Sequence, residues 1–250
     1  MTAVLYEARG PVARITLNRP ERLNAINTGL VFGLVEALAR AMDGDEIQVA
    51  VLAGAGRAFC AGDDLVEFGA GAKSRDEATA FIEGLQAVTR LIQLGPKPVV
   101  CAAQGWIVGG AAAWPLNADF LVLAEDAVMF CPEAAHGLFP TGGASILLEE
   151  RLGPARAAEM LWLGRRIGAA ELFSAGVAAA MVPPAELDGA VEALCGRLLA
   201  LPAASRRRFK AARAQAVGPR LEEALAREAG LCMEAALDAE TLARVAAAWS

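Results

Sequence analysis

The chain of 250 residues has one histidine, His136, one tyrosine, Tyr6, and five cysteines. A single histidine leaves a His-based zinc site almost nothing to build on, and no metal site is expected. Cys60, Cys101, Cys131, Cys195 and Cys232 show neither paired spacing nor the density of a secreted scaffold, and read as reduced thiols filling apolar positions. No apolar run reaches the ~18 residues of a membrane span, and residues 1–20 lack a basic start followed by an apolar signal core; a cytoplasmic protein without a membrane partner is expected. Positive charge is short as well. With 23 Lys and Arg against 29 Asp and Glu the net charge is −6, which gives no global attraction to nucleic acid. Gly54-Ala55-Gly56 lacks the third glycine of a dinucleotide fingerprint, and no Gly-Lys-Ser/Thr phosphate loop occurs. Internal repeats and low-complexity linkers are absent too.

What is plentiful is small and apolar: 56% of residues are hydrophobic and 25 are glycine. That composition suits helices packed tightly on a sheet, in one large domain or a domain with an appendage, and an oligomer that hides further apolar surface. Residues 12–17 alternate as a half-buried strand, in a hairpin with 4–6. Thr28 is placed to cap a helix over 29–42, and Ser74 with Glu77 forms a capping box before the apolar face Phe81, Ile82, Leu85, Val88, Leu91 and Ile92. Strands are expected at 48–52, 99–103, 120–123 and 128–131, so the first ~130 residues alternate strand, turn and helix in the α/β manner. From about 143 onward the signals are helical: 143–152, 155–163, 169–175, 185–200, 203–216, 220–236 and 239–248, with Gly218-Pro219 dividing the fifth from the sixth.

Two glycine-bearing stretches follow apolar strands: Phe59-Cys60-Ala61-Gly62-Asp63-Asp64-Leu65 and Gln104-Gly105-Trp106-Ile107-Val108-Gly109-Gly110. Backbone N–H groups at two such turns, aimed at one point, form an oxyanion hole; one such donor is worth ~3 kcal/mol to a transition state. Small residues after Gly110 let a helix start close to the sheet, where N–H groups and the positive helix end coincide. Glu133, in Met129-Phe130-Cys131-Pro132-Glu133, is either an exposed loop residue or a poorly solvated general base; the two glycine turns favour the base. His136 is either a further base or a loop or interface residue. Asp63 is assigned a backbone role and Asp64 a capping or ligand-positioning one, in preference to acid-base work by the pair. The run Arg206-Arg207-Arg208 with Lys210 and Arg213 reads first as a solvated helix face and second as a contact to cofactor phosphates. Ser145 with His136 is too weak a pair for a serine peptidase without a nucleophile motif.

Taken in order, these residues resemble the enoyl-CoA hydratase/isomerase family, also called the crotonase family, from about residue 4 to 235. Four elements carry the resemblance: Leu17-Asn18-Arg19-Pro20-Glu21-Arg22-Leu23-Asn24-Ala25, the stretch 59–65, Gln104-Gly105 through Gly109-Gly110 to Asp119, and Pro132-Glu133 with Gly137 and Pro140. The resemblance implies an α/β fold of ββα units wound into a superhelix, followed by C-terminal helices that assemble trimers or dimers of trimers. It divides the chain into a core with the acyl-CoA site over 1–195 and a helical, oligomerising region over 196–250. It further implies that the thioester carbonyl of an acyl-CoA sits between the N–H groups of Asp63 and Gly110, and that Arg22, Asn24, Ala25, Ala61, Asp64 and Leu65 line the CoA path. CoA then enters as part of the substrate, with no tightly bound cofactor.

Two departures from the family pattern bear on the reaction. Hydratases of this family hold a water with two glutamates; Glu133 matches one, and Ala113 stands at the position of the other. Thr141 lies near where some members carry a further carboxylate, and the aromatic and basic C-terminal tail is absent. One base facing a stabilised enolate suits double-bond migration from 3-enoyl- to 2-enoyl-CoA. The alternatives are an enoyl-CoA hydratase and an acyl-CoA-binding paralogue without catalysis. Trp106, Trp114, Phe68 and Phe139 are candidates for the acyl pocket or the core, with Trp114 assigned to the core.

Overall fold

The computed structural model describes residues 2–64, 66–67 and 74–247. Strands β1 (Val4–Arg9) and β2 (Val12–Leu17) form the expected antiparallel hairpin. Helix α1 (Thr28–Asp43) follows, but its cap is Asn27, whose side chain accepts from the Leu30 N–H; Thr28 is the first helical residue. An extended Asn27 has the backbone geometry that lets a short acceptor reach back to the first turn. Next come β3 (Val49–Gly54) and α2 (Arg75–Leu94), the latter opened by the Ser74/Glu77 capping box.

Three successive turns of chain then repeat one pattern. A strand enters a large sheet, the chain bends into a small second sheet, and a helical turn follows. In the second turn these are β4 (Val99–Ala103), β5 (Trp106–Val108), a 3-10 turn over Gly109–Ala112 and α3 (Ala113–Asn117). In the third they are β6 (Phe120–Ala124), β7 (Val128–Phe130) and α4 (Glu133–His136). In the first, β3 is followed by a single bridge from Cys60 to Ile107 in place of a full second strand. The expected α/β superhelix is thus a ladder of ββα units.

Beyond it lie α5 (Ala144–Leu152), α6 (Pro154–Leu163), β8 (Ile167–Gly168), α7 (Ala169–Ser174), β9 (Ala180–Val182), α8 (Leu187–Leu199), α9 (Ala203–Leu237) and α10 (Ala239–Ala247). The large sheet runs β1-β2-β3-β4-β6-β9, parallel except for the hairpin, and the small one β5-β7-β8. Alternation along the strands separates two apolar layers. Ala13, Ile15, Leu52 and Cys101 face the main core with α1 and α2, whereas Val49, Val51, Val100 and Val122 face Leu187, Val191 and Cys195 of α8. Helix α8 runs across positions 195 and 196, where the sequence reading divides the chain.

Two C-terminal expectations change. Helix α9 is continuous through Pro219, not broken there. Proline removes one N–H bond and crowds the preceding turn, but the helix is held against α2 on both sides of it. Lys210 Nζ donates to the Ile92 carbonyl before Pro219, and after it Arg90 pairs with Glu222 and Gln86 donates to the Leu225 carbonyl. The basic run is mostly internal. Arg206 is buried, donating to the Leu198, Leu199 and Leu201 carbonyls and to Gln48; Lys210 and Arg213 both pair with Asp119. Arg207 and Arg208 alone keep the expected exposure.

Candidate active site

The ladder explains why residues some seventy positions apart meet. In the small sheet Cys60 stands beside Ile107, and Ile107 beside Met129. Asp63 and Gly110 lie three residues past the first two of these, and Glu133 four past the third, so all three emerge at the same end of adjacent segments.

The first turn is fastened from several sides. Cys60 N–H donates to the Trp106 carbonyl and Val108 N–H to the Cys60 carbonyl, both at 3.0 Å. Gly62 has φ of +83, and a β-carbon there would press on the Val108 carbonyl at 3.1 Å, so the two glycine turns touch. Ile26 N–H donates to the Gly62 carbonyl and Asp64 N–H to the Ile26 carbonyl, which leaves the Asp63 N–H directed to the opposite side of this extended segment. Asn24 locks the base of the turn. Its Nδ2 donates to the Ala55, Ala58 and Phe59 carbonyls, its Oδ1 accepts from the Arg19 N–H, and its own backbone is left-handed at φ of 57. The Asn24 side chain is therefore a structural staple, 0% exposed, and does not line a ligand path.

Glu133 opens the four-residue helix α4 and is 6% exposed. Burial pushes its carboxyl up to about 8; the charge of Asp63 adds to this, while its own N–H and that of Gly110 favour the ionised form. Oε1 lies against Gly109, where a β-carbon would come within 2.5 Å of it. Oε2 is buried without a hydrogen-bond partner among the described residues. A partnerless carboxylate oxygen in apolar surroundings is an arrangement suited to taking and returning a proton near neutral pH.

Asp63, Gly110 and Glu133 line one cavity. Its far wall is apolar: Phe81, Ile82 and Leu85 of α2, Leu138 and Phe139, and Leu242 of α10. The α2 side chains form the stripe that periodicity assigns to the core; the same 3.6-residue spacing serves a wall and a core, so sequence does not separate them. Cys232 and Ala236 of α9 complete the wall, with no local sequence signal to mark them. Thr141 supplies a hydroxyl that accepts from Gln86 Nε2 at 3.3 Å. Burial pushes the Cys232 thiol up, so it stays protonated.

Other sequence candidates fall elsewhere. Trp114 is in the core, packed edge-on to Phe59. Trp106 is on the surface against Phe130 and Arg166. Ala113 is buried with its methyl against Gly142, away from the cavity lining. The turn that begins at Gly109 is a short 3-10 segment and α3 spans only five residues, so a long helix macrodipole is not what acts at Gly110. His136 is half-buried at the far end of α4 and is not part of the cavity lining. Ser145 donates its hydroxyl to the buried Glu228 at 2.6 Å, which removes it from any pairing with His136.

Along the expected CoA path, Arg22 is exposed, and Ala25 and Ala61 are half-buried. Asp64 pairs with Arg19 at 2.8 Å and accepts from the Glu67 N–H. Arg19 also donates to the Ala25 carbonyl, a tie that sequence reading missed. Leu65 and Phe68 lie outside the described residues. Among the described residues no cluster of three or more His, Cys, Asp or Glu is suited to a metal, and no helix is long and apolar enough to cross a membrane.

The profile of the enoyl-CoA hydratase/isomerase family matches residues 7–241. A carnitinyl-CoA dehydratase of Salmonella enteritidis PT4 is 36% identical over 191 residues, 76% of this chain and 72% of the relative. An enoyl-CoA hydratase from Mycobacterium avium subsp. paratuberculosis K-10 superposes with a TM-score of 0.88 at 29% identity, over 99% of this chain and 95% of that one. An enoyl-CoA hydratase/isomerase from Pseudoalteromonas atlantica T6c gives 0.89 at 25% identity, over 99% and 96%.

Proposed function

The chain belongs to the enoyl-CoA hydratase/isomerase family, and on that premise we propose that it moves the double bond of a 3-enoyl-CoA to the 2-position. The thioester oxygen lies between the N–H groups of Asp63 and Gly110. Glu133 takes a proton from the α carbon, the electron pair passes into the thioester to give an enolate, and the oxyanion donors stabilise it. The enolate collapses as Glu133 returns the proton at the γ carbon. No atom is gained or lost, so one carboxyl group suffices.

The observation that carries this reading is Glu133 Oε2, buried and without a hydrogen-bond partner among the described residues, on a residue that lines a cavity with an apolar far wall. The sequence adds support, since alanine stands at 113, where the family's hydratases carry a second glutamate. Glu133→Gln assayed on a 3-enoyl-CoA should lose about 100-fold or more in kcat; retention of activity within a few-fold of wild type would overturn the assignment.

A second reading is hydration or dehydration at the same site, favoured by the relatives named dehydratase and by the Thr141 hydroxyl, which lines the cavity and would orient a water. Efficient hydration of crotonyl-CoA by the wild type, without migration of a 3-enoyl bond, would select it. Tight acyl-CoA binding in a calorimeter with no turnover of either substrate would select the third reading, a binding protein. CoA is held only as part of the substrate, and the subunit assembles as a trimer or dimer of trimers. Trp162 and Leu163, each 79% exposed, and Phe209 are surfaces that such assembly would cover.

A further inference from the structure

We propose that Thr141 is a specificity-determining donor, aimed by Gln86, which favours acyl-CoAs whose acyl chain carries an oxygen acceptor beyond the reacting carbons over bare hydrocarbon chains. The proposal rests on the reading of this cavity as an acyl-CoA site and deepens it by naming the acyl class. Leu225 sets the direction of the hydrogen bonds. Its carbonyl can only accept, so the Gln86 atom that meets it at 2.7 Å is the amide nitrogen. The same nitrogen donates its second hydrogen to Thr141 Oγ1 at 3.3 Å. Thr141 is therefore an acceptor on its Gln86 side, and its own proton is directed elsewhere. Both side chains are buried, which keeps bulk water from scrambling this order.

Cys232 is what that proton meets. The Thr141 hydroxyl favours the ionised form of the Cys232 thiol, as a donated hydrogen bond does, although burial dominates and keeps the thiol protonated. The thiol gives its own proton to the Phe139 carbonyl at 3.2 Å, so it offers Thr141 only a sulfur lone pair. A neutral sulfur is a weak acceptor. Thr141, Cys232 and Phe139 all line the cavity, so a ligand oxygen entering there can take the sulfur's place and make the stronger bond.

The position of this donor is fixed on both sides. The Gly142 carbonyl accepts from Asn117 Nδ2 at 2.8 Å, and a β-carbon at 142 would stand 2.5 Å from the Ala113 methyl, so the segment is packed down on α3. Thr141 is tied to α2 through Gln86 and to α9 through Cys232, the helices that supply the far wall of the cavity. Asp63, Gly110 and Glu133 belong instead to the two glycine turns and α4. The hydroxyl therefore meets the acyl chain past the carbons on which Glu133 acts. Around it the wall presents Ile82, Leu85 and Leu242, against which an acyl oxygen held anywhere else would lose its hydration without return. Gln86 acts through Thr141 and is a positioning residue.

The test is isothermal titration calorimetry with two matched pairs of saturated ligands, pentanoyl-CoA against 4-oxopentanoyl-CoA and hexanoyl-CoA against 5-oxohexanoyl-CoA. In the wild type at least one oxo analogue should bind as tightly as its hydrocarbon partner or more tightly, despite the hydration its carbonyl gives up. Thr141→Val should weaken that analogue about 5- to 10-fold relative to its partner, whereas Thr141→Ser, which keeps the hydroxyl, should hold the ratio. Gln86→Met should lower the ratio in the same direction while hydrocarbon affinity stays within about 2-fold of wild type, a pattern that a general loss of packing would not give. Weaker binding of both oxo analogues to the wild type, or a ratio unmoved by Thr141→Val, would overturn the proposal. An equal loss of affinity for all four ligands in Gln86→Met would overturn the positioning role. These ligands need no turnover, so failure of the isomerase reading is seen separately, as intact oxo selectivity in a protein that leaves 3-enoyl-CoA unconverted.

Discussion

Gly109 and the Glu133 carboxylate occupy space that only a glycine can share: a β-carbon on residue 109 would stand 2.5 Å from Glu133 Oε1, and the residue has φ of +60. The glycine turn thus does more than expose N–H groups. It makes room for the Glu133 carboxylate beside the turn. Gly109→Ala should displace the carboxylate and cost on the order of 100-fold in kcat, together with about 1–2 kcal/mol of stability from the left-handed backbone. Steady-state kinetics and urea denaturation of the same variant check both parts.

Glu133 ties activity and stability to pH in opposite senses. Abstraction needs the ionised form, so kcat/KM should rise with pH through the region near 8 where the group titrates. A flat profile from pH 6 to about 9 would count against Glu133 as the base.

For stability the sign is reversed. The folded-state value lies above the ordinary 4.5, so the folded protein binds more protons than the unfolded chain between pH 4.5 and about 8. The contribution is complete below 4.5 and lost as pH rises through about 8. Glu133→Gln should therefore gain stability relative to wild type as pH increases across that window, with an upper bound of ~5 kcal/mol at the alkaline end. Parallel denaturant titrations at acid and alkaline pH measure the difference.

Asp119 and Lys210 form a buried pair at 2.6 Å, with Lys210 also donating to the Ile92 carbonyl. Asp119→Ala leaves the Lys210 ammonium buried with its carboxylate partner gone, and should cost about 3–5 kcal/mol. Lys210→Met should cost less, because Arg213 still reaches Asp119. If the two variants lose equal stability, the pair is not the source.

Asn24→Ala should cost about 2–3 kcal/mol, since it strands the Ala55, Ala58 and Phe59 carbonyls at the base of the first turn. A direct role in CoA binding would instead raise KM and leave the melting temperature unchanged.

The order of motifs along the chain determined a good deal unaided. The β1/β2 hairpin, the strand at 99–103, the capping box at Ser74 and the succession of C-terminal helices follow from alternation, helical period and capping chemistry, all of which act within a few residues. The family is legible for the same reason: its glycine turns and Pro-Glu segment are local, and their order is preserved. What failed was also local in appearance but decided at a distance. Pro219 reads as a break, yet packing of α9 on α2 carries the helix through it. Arg206, Lys210 and Arg213 read as a solvated face until Asp119, distant in the chain, and the Leu198 carbonyl of α8 claim them.

The sequence by itself offered two glycine turns as oxyanion donors and one glutamate as a base. Only the tertiary structure decided that they share a cavity, because the register of the small sheet, Cys60 to Ile107 to Met129, is a long-range pairing that no local pattern encodes. Burial, a property of the whole fold, pushes an ordinary carboxyl at Glu133 up to about 8.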